Sequence, residues 1–216
     1  MRGYFAAVPR QIRERFRQGD SRCRYTGSSM YLIRTFAVLA LSALSLPAAD
    51  EAPNMRQNYD HQLSGVEREV VGLVEAMPAD KFGFAPSTPG GAFTGVRTFG
   101  VQAKHVAFAI NQISSGLLGE PIAPAKDDNG PAELTKKEDI VKYVKDAFAH
   151  AHKAVGTVTN ANLAEAMPSP FNPKNTTTRA ESVGMLFWHT FDHYGQMVVY
   201  LRMNGIVPPA SQPAGR

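Results

Sequence analysis

The run Trp188-His189-Thr190-Phe191-Asp192-His193-Tyr194-Gly195-Gln196-Met197 holds two of the chain's six histidines, four residues apart. In an α-helix, residues i and i+4 lie one turn apart on one face, so both imidazoles can reach a common ion. The surroundings read as helix. Apolar residues recur at Val183, Leu186, Phe187, Phe191, Tyr194, Met197, Val198 and Leu201, and no proline interrupts residues 179–207. Thr178 followed by Glu181 predicts a capping box at the start. Gly205 and Pro208-Pro209 predict the stop. By itself the histidine pair also suits two hydrogen-bonded core or interface residues, and a metal site needs a third ligand from elsewhere.

Outward from this helix, three more emerge. Met55, Tyr59, Leu63, Val66, Val70, Leu73, Val74 and Met77 keep the three-four spacing of an amphipathic helix, closed by Pro78. Residues 79–96 read as loop, punctuated by Pro86, Pro89, Gly90, Gly91 and Gly95. A second helix is predicted from Thr98 to about Leu118, with Phe99, Val106, Ile110, Ile113 and Leu117 as its stripe. A third opens on a Thr135/Glu138 capping box and runs to about Val158. Residues 159–177 are a long polar connection. With no convincing strand, the expectation is all-α: a four-helix bundle with long 1–2 and 3–4 connections.

The first 49 residues read differently. Eight arginines stand against Glu14 and Asp20; an apolar run from Phe36 to Leu46 then leads to Pro47-Ala48-Ala49. This is the pattern of a secretory signal peptide, with Met30 as a second possible start and an uncleaved amphipathic anchor as the alternative. The apolar run is too short to span a bilayer, which takes about twenty residues. Residues 50–209 would form the bundle domain and 210–216 a flexible tail, in a periplasmic or secreted protein. Residues 50–216 carry fifteen Lys and Arg against seventeen Asp and Glu, net −2, so the excess basic charge belongs to the leader. That argues against a nucleic-acid-binding or membrane-binding module. The one cysteine, Cys23, also lies in the leader, leaving residues 50–216 without a thiolate.

His105 lies at the edge of the apolar face of the second helix, where a lone histidine reads as a satisfied core or boundary residue as readily as a third ligand. His61 reads as solvated. His150 and His152, about 200° apart on their helix, cannot chelate together, although His152 could line the interior and close a site as a fourth ligand.

Thr98-Phe-Gly-Val-Gln-Ala-Lys-His105-Val-Ala-Phe108 followed by Gly119-Glu-Pro121, and the run from Glu181 to Pro209 with its H-x-x-x-H-x-G-Q and Y-L-R-x-x-G-x-x-P-P segments, resemble the second and fourth helices of the DinB-like superfamily. Met77-Pro78-Ala-Asp-Lys-Phe-Gly-Phe-Ala-Pro86 is similar as well, so the likeness covers about residues 55–209. The resemblance implies a bundle, often dimeric, holding a divalent metal on His105, His189 and His193. Imidazole ligands suit zinc or nickel. Family members with assigned chemistry include thiol-dependent transferases and isomerases, similar to mycothiol-dependent maleylpyruvate isomerase. The expectation is therefore an exported metal-dependent enzyme of hydrolase or thiol-transferase type, acting on a small molecule as a homodimer. The alternative is a non-catalytic, stress-associated metal-binding bundle. Gln196, three residues after His193, is a candidate for bonding a ligand or water; Gly195 is expected to allow close helix packing; Trp188, Phe187 and Phe191 are read as core or dimer interface.

Overall fold

The computed structural model describes residues 54–122 and 127–213. The expected leader, residues 1–49, lies outside them. Four helices carry the fold: α1 (Met55–Ala76), α2 (Phe99–Leu118), α3 (Lys137–Val155) and α4 (Arg179–Met203). The buried positions of α1 are Leu63, Val66, Val70, Leu73 and Val74, the inner part of the predicted stripe. Each fully buried side chain of this size removes enough apolar area from water to stabilise by about 1.5–3 kcal/mol. Around the same core lie Phe99, Ile110 and Ile113 from α2, Val144 and Phe148 from α3, and Leu186, Met197 and Leu201 from α4.

The packing order explains the connection lengths. α1 packs chiefly on α3 and α4, and α2 packs on the same two helices. Consecutive helices α1 and α2 therefore stand across a diagonal, as do α3 and α4. A chain that must cross the end of a bundle needs a long connection, which is what residues 77–98 and 156–178 supply. Each of those connections also contains a small antiparallel hairpin that the sequence reading did not anticipate. β1 (Ser87–Thr88) pairs with β2 (Gly91–Ala92), and β3 (Ala166–Pro168) pairs with β4 (Thr176–Thr178). Strands of two or three residues are too short to show an alternating pattern.

Three helix starts rest on side-chain caps. Asn54 and Gln57 form a reciprocal box on α1. The Thr98 hydroxyl accepts from the Val101 N–H on α2. Thr178 and Glu181 form the predicted box on α4. The Thr135/Glu138 box on α3 does not form: the N-cap is Lys136, without a side-chain cap, and Glu138 and Asp139 instead sit in the first turn, where acidic residues favour the helix dipole. α4 is capped by Asn204, and Gly205 follows with a φ of 72°, which suits a residue without Cβ. Beyond it, residues Pro209–Ser211 form a 3-10 turn beside α1; Arg202 Nη2 donates to Ser211 Oγ at 3.2 Å. Among the described residues no helix is long and apolar enough to cross a membrane.

Candidate metal centre

The contact between α2 and α4 brings His105 to His189 and His193. Ring centroids are 5.2 Å apart for His105 and His189, and 4.5 Å apart for each of the other two pairs. One nitrogen from each ring falls within 4.8 Å of the others, a set able to hold a metal ion. His105 and His193 are buried, and His189 is half-buried. His189 Nε2 is, among the described residues, the one buried side-chain nitrogen or oxygen without a partner. A buried imidazole nitrogen left unpaired is costly; beside two other ring nitrogens, an ion would satisfy it.

Electrostatics favour the ligating form. Burial, reinforced by the neighbouring His105 and His189, pushes the His193 pKa down to about 4. Burial and His105 also lower that of His189. Both rings are therefore neutral near pH 7, with a lone pair available for a metal.

His105 is oriented by backbone. Its Nδ1–H donates to the Asp128 carbonyl at 2.5 Å, leaving Nε2 free to face the cluster. The carbonyl is held there by a loop, residues 127–131, fastened to α2 and its approach. Arg97 Nη2 donates to Asp128 Oδ1 at 2.7 Å and Arg97 Nε to Asn129 Oδ1 at 2.9 Å. Lys104 Nζ donates to the Pro131 carbonyl at 2.8 Å. Gly130, at φ 76°, passes so close that an added Cβ would stand 2.9 Å from the Lys104 carbonyl oxygen. Partial burial would raise the Asp128 carboxyl pKa, but the Arg97 hydrogen bond and charge outweigh it and the net shift is downward. That carboxylate is a weak base for catalysis.

His193 meets a side chain instead. Gln102, buried on α2 one turn before His105, places Nε2 2.6 Å from His193 Nδ1 and 2.8 Å from Gln196 Oε1. Gln196 Nε2 in turn donates to Asp192 Oδ2 at 3.1 Å. Gln196 is thus engaged with protein groups. Gln102, Arg97 and the Asp128 carbonyl were not read from the sequence. The available signal for Gln102 was a polar residue three positions before His105, on the same helix face.

The other candidates fall elsewhere. His152 is not part of the cluster: Nδ1 lies 2.6 Å from Asp60 Oδ1 and Nε2 3.1 Å from Glu67 Oε2, bridging α3 to α1. It therefore does not close the site as a fourth ligand. His150 bridges Asn111 and Glu120, and His61 is exposed. Gly195 does not serve close packing within the chain, since a Cβ there would meet nothing within 4 Å. Trp188 and Phe191 are not core; they are 60% and 43% exposed, whereas Phe187 is half-buried against Tyr59. A cleft of about 360 Å³ beside Gln102 and Gln196 is also lined by Arg97, Val199 and Tyr200.

No curated protein matches this chain. Among solved structures it is similar to a DinB-like protein from Bacillus cereus ATCC 10987, with a TM-score of 0.55 and 19% identity over 70% of this chain and 93% of that one. At that identity the likeness speaks for the fold. The DinB superfamily matches residues 62–197, from the first helix through the HxxxH segment. As that match spans more than half of its length, the chain belongs to the DinB superfamily.

Proposed function

We propose that this protein is an exported, metal-dependent enzyme whose divalent ion, zinc or nickel, sits on His105, His189 and His193. The observation that carries the reading is the unpartnered His189 Nε2, buried beside two other imidazoles. Among the described residues, the cluster of possible ligands has only these three members. Three protein ligands leave coordination positions for a substrate, the arrangement of catalytic rather than structural sites. An ion so held supplies Lewis acidity toward an oxygen or sulfur atom of the substrate.

The chain's own groups define what could bind. The adjoining cleft is mostly apolar, with Arg97 and the amides of Gln102 and Gln196 as its polar features. That lining suits a small amphipathic molecule bearing an anionic or carbonyl group. The rings of Trp188 and Phe171 lie 5.6 Å and 6.3 Å from that of His189 and give the other side an apolar rim. Hydrolysis and thiol transfer both remain compatible with these groups. The deciding assay pairs zinc-loaded and nickel-loaded protein with small carboxylic esters and lactones, and separately with electrophiles plus a low-molecular-weight thiol. Turnover lost in His193→Ala supports the proposal. No turnover in either set, at full metal occupancy, moves the protein to the non-catalytic alternative.

Homodimerisation belongs to the same proposal. Trp188, Phe191, Val199 and Met203 are all exposed on α4. At about 100° per residue they fall within roughly a third of the helix circumference. Gly195 lies in the middle of that stripe with open space above it, so a second copy's helix could approach closely. A dimeric mass in light scattering, reduced to monomer by Trp188→Glu with Val199→Glu, is the expected result. A monomeric wild type at tens of micromolar refutes it.

The leader pattern in residues 1–49 is the basis for export. Mass spectrometry of protein recovered outside the cytoplasm tests it, with a new N-terminus near Ala48 or Ala49 as the expected result. Full-length chain retained in the cytoplasm overturns it.

A further inference from the structure

A guanidinium carries more N–H donors than one partner can use, set in a rigid planar fork. Arg97 commits only one edge of that fork to the protein. Its Nε donates to Asn129 Oδ1 at 2.9 Å and its Nη2 to Asp128 Oδ1 at 2.7 Å. These nitrogens share the side edge of the plane. The end edge, formed by Nη1 and the remaining Nη2 hydrogen, has no acceptor among the described residues. The Arg97 side chain is 25% exposed and that of Asp128 60%. Water screens the Asp128 charge, so this pair leaves Arg97 able to attract a second anion.

Arg97 lines the cleft of about 360 Å³, where Pro86, Val96 and Tyr200 supply apolar wall. Gln102 lines it too, and its side chain lies 2.6 Å from the His193 ring, so the cleft ends against the triad. The Tyr200 hydroxyl donates to the Arg97 backbone carbonyl at 3.1 Å. That phenol also feels the guanidinium: burial raises its pKa and the charge of Arg97 opposes the rise. The charged group therefore stands by the cleft wall. The volume is at the low end for small-molecule sites. Asp128 and Asn129 already fix the long side chain, so a ligand need not order it on binding.

We propose that Arg97 determines the substrate class: its free edge binds a carboxylate bidentately, so the substrates are small acids with a short apolar body, anchored at Arg97 with the other end toward His105, His189 and His193. This rests on the enzyme reading above and narrows it. Two parallel N–H groups match the two oxygens of a carboxylate, whereas a neutral amide or ester offers one good acceptor and no charge. Among the esters of the assay above, those that keep a free carboxylate are the preferred substrates.

The test uses the full-length protein, metal-free and zinc-loaded, with benzoate and hexanoate as probes, each beside its neutral amide, and calorimetry for Kd. In both forms wild type should bind the acids at about 1 mM or tighter and the amides about tenfold more weakly. Arg97→Gln should abolish the preference for acid, and Arg97→Lys, which keeps the charge without the fork, should weaken acid binding about threefold or more. Asp128→Asn keeps an acceptor for Nη2 but removes the competing charge; it should tighten the acids about two- to fivefold and leave the amides unchanged. An Arg97 that only fastened the loop would give wild type no preference for acid over amide, and that result overturns the proposal. So does acid binding of undiminished strength in Arg97→Gln, or acid binding seen only with zinc, which would place the carboxylate on the ion. If Arg97→Gln is not folded by circular dichroism, Asp128→Asn decides: unchanged acid affinity there overturns the proposal. If wild type takes up no zinc, the metal reading fails, while the metal-free titrations still decide the role of Arg97.

Discussion

Replacing Gly130 by alanine would test how the loop at residues 127–131 supports the site. Gly130 has φ 76°, a region that a residue with Cβ enters at about 1–2 kcal/mol. The added Cβ would also stand 2.9 Å from the Lys104 carbonyl oxygen and 3.0 Å from Lys104 Cβ, both on a packed helix that has little room to yield. Overpacking of this kind costs about 1–3 kcal/mol. Some of it is relieved if the loop moves outward, so the combined loss should be about 2–4 kcal/mol. For a domain of this size that lowers Tm by roughly 5–15 °C. The outward shift also draws the Asp128 carbonyl away from His105 Nδ1, removing the partner that orients this ring. Losing such a partner weakens metal binding by about 10–100-fold. Urea unfolding gives the stability loss, and zinc competition on the folded variant gives the affinity. A Gly130→Ala protein within about 0.5 kcal/mol of wild type and with unchanged zinc affinity would refute the argument.

Further perturbations probe the frame. Burial alone would lower the His152 pKa, but hydrogen bonds and charge from Asp60 and Glu67 outweigh it and hold it above its usual value. Charged His152 therefore stabilises the fold fully below about pH 6.5, the unfolded value, and this contribution is lost as pH rises through the raised folded value. The Tm gap between wild type and His152→Gln should be widest near pH 6 and close toward pH 9; a gap independent of pH contradicts this. Thr178→Ala removes the cap oxygen that accepts from the Glu181 N–H at 3.2 Å, and should cost about 1 kcal/mol in urea unfolding. Phe148 is fully buried at the centre of the bundle, so Phe148→Ala should cost about 3–5 kcal/mol by the same measurement.

Much of the bundle was legible because its signals are local. The stripe from Leu63 to Val74, the Thr98 cap and the Thr178/Glu181 box each depend on residues within a few positions of one another. The start of α3 was misplaced because Thr135 and Glu138 have the spacing of a capping box, yet the helix opens two residues beyond Thr135. The hairpins were invisible because two or three paired residues carry no periodicity. The site divides in the same way. His189 and His193 share a helix face that spacing reveals, whereas His105 needed the family likeness to join them. The groups that orient these rings could not be read at all. Gln102 and His193 are 91 residues apart, and the acceptor for His105 is a backbone carbonyl, which any residue at position 128 would supply. Gly195 looked like a packing residue and lies on open surface, because the identity of a glycine does not say which side of its helix is covered.

The most direct test of the metal centre is elemental mass spectrometry on the purified full-length chain, beside His105→Ala and His189→Ala. The account predicts about one divalent late first-row ion per wild-type chain, lost in both variants while their helical circular dichroism is retained. No metal in wild type, even after reloading with zinc or nickel, would contradict it and leave the three histidines as buried packing residues.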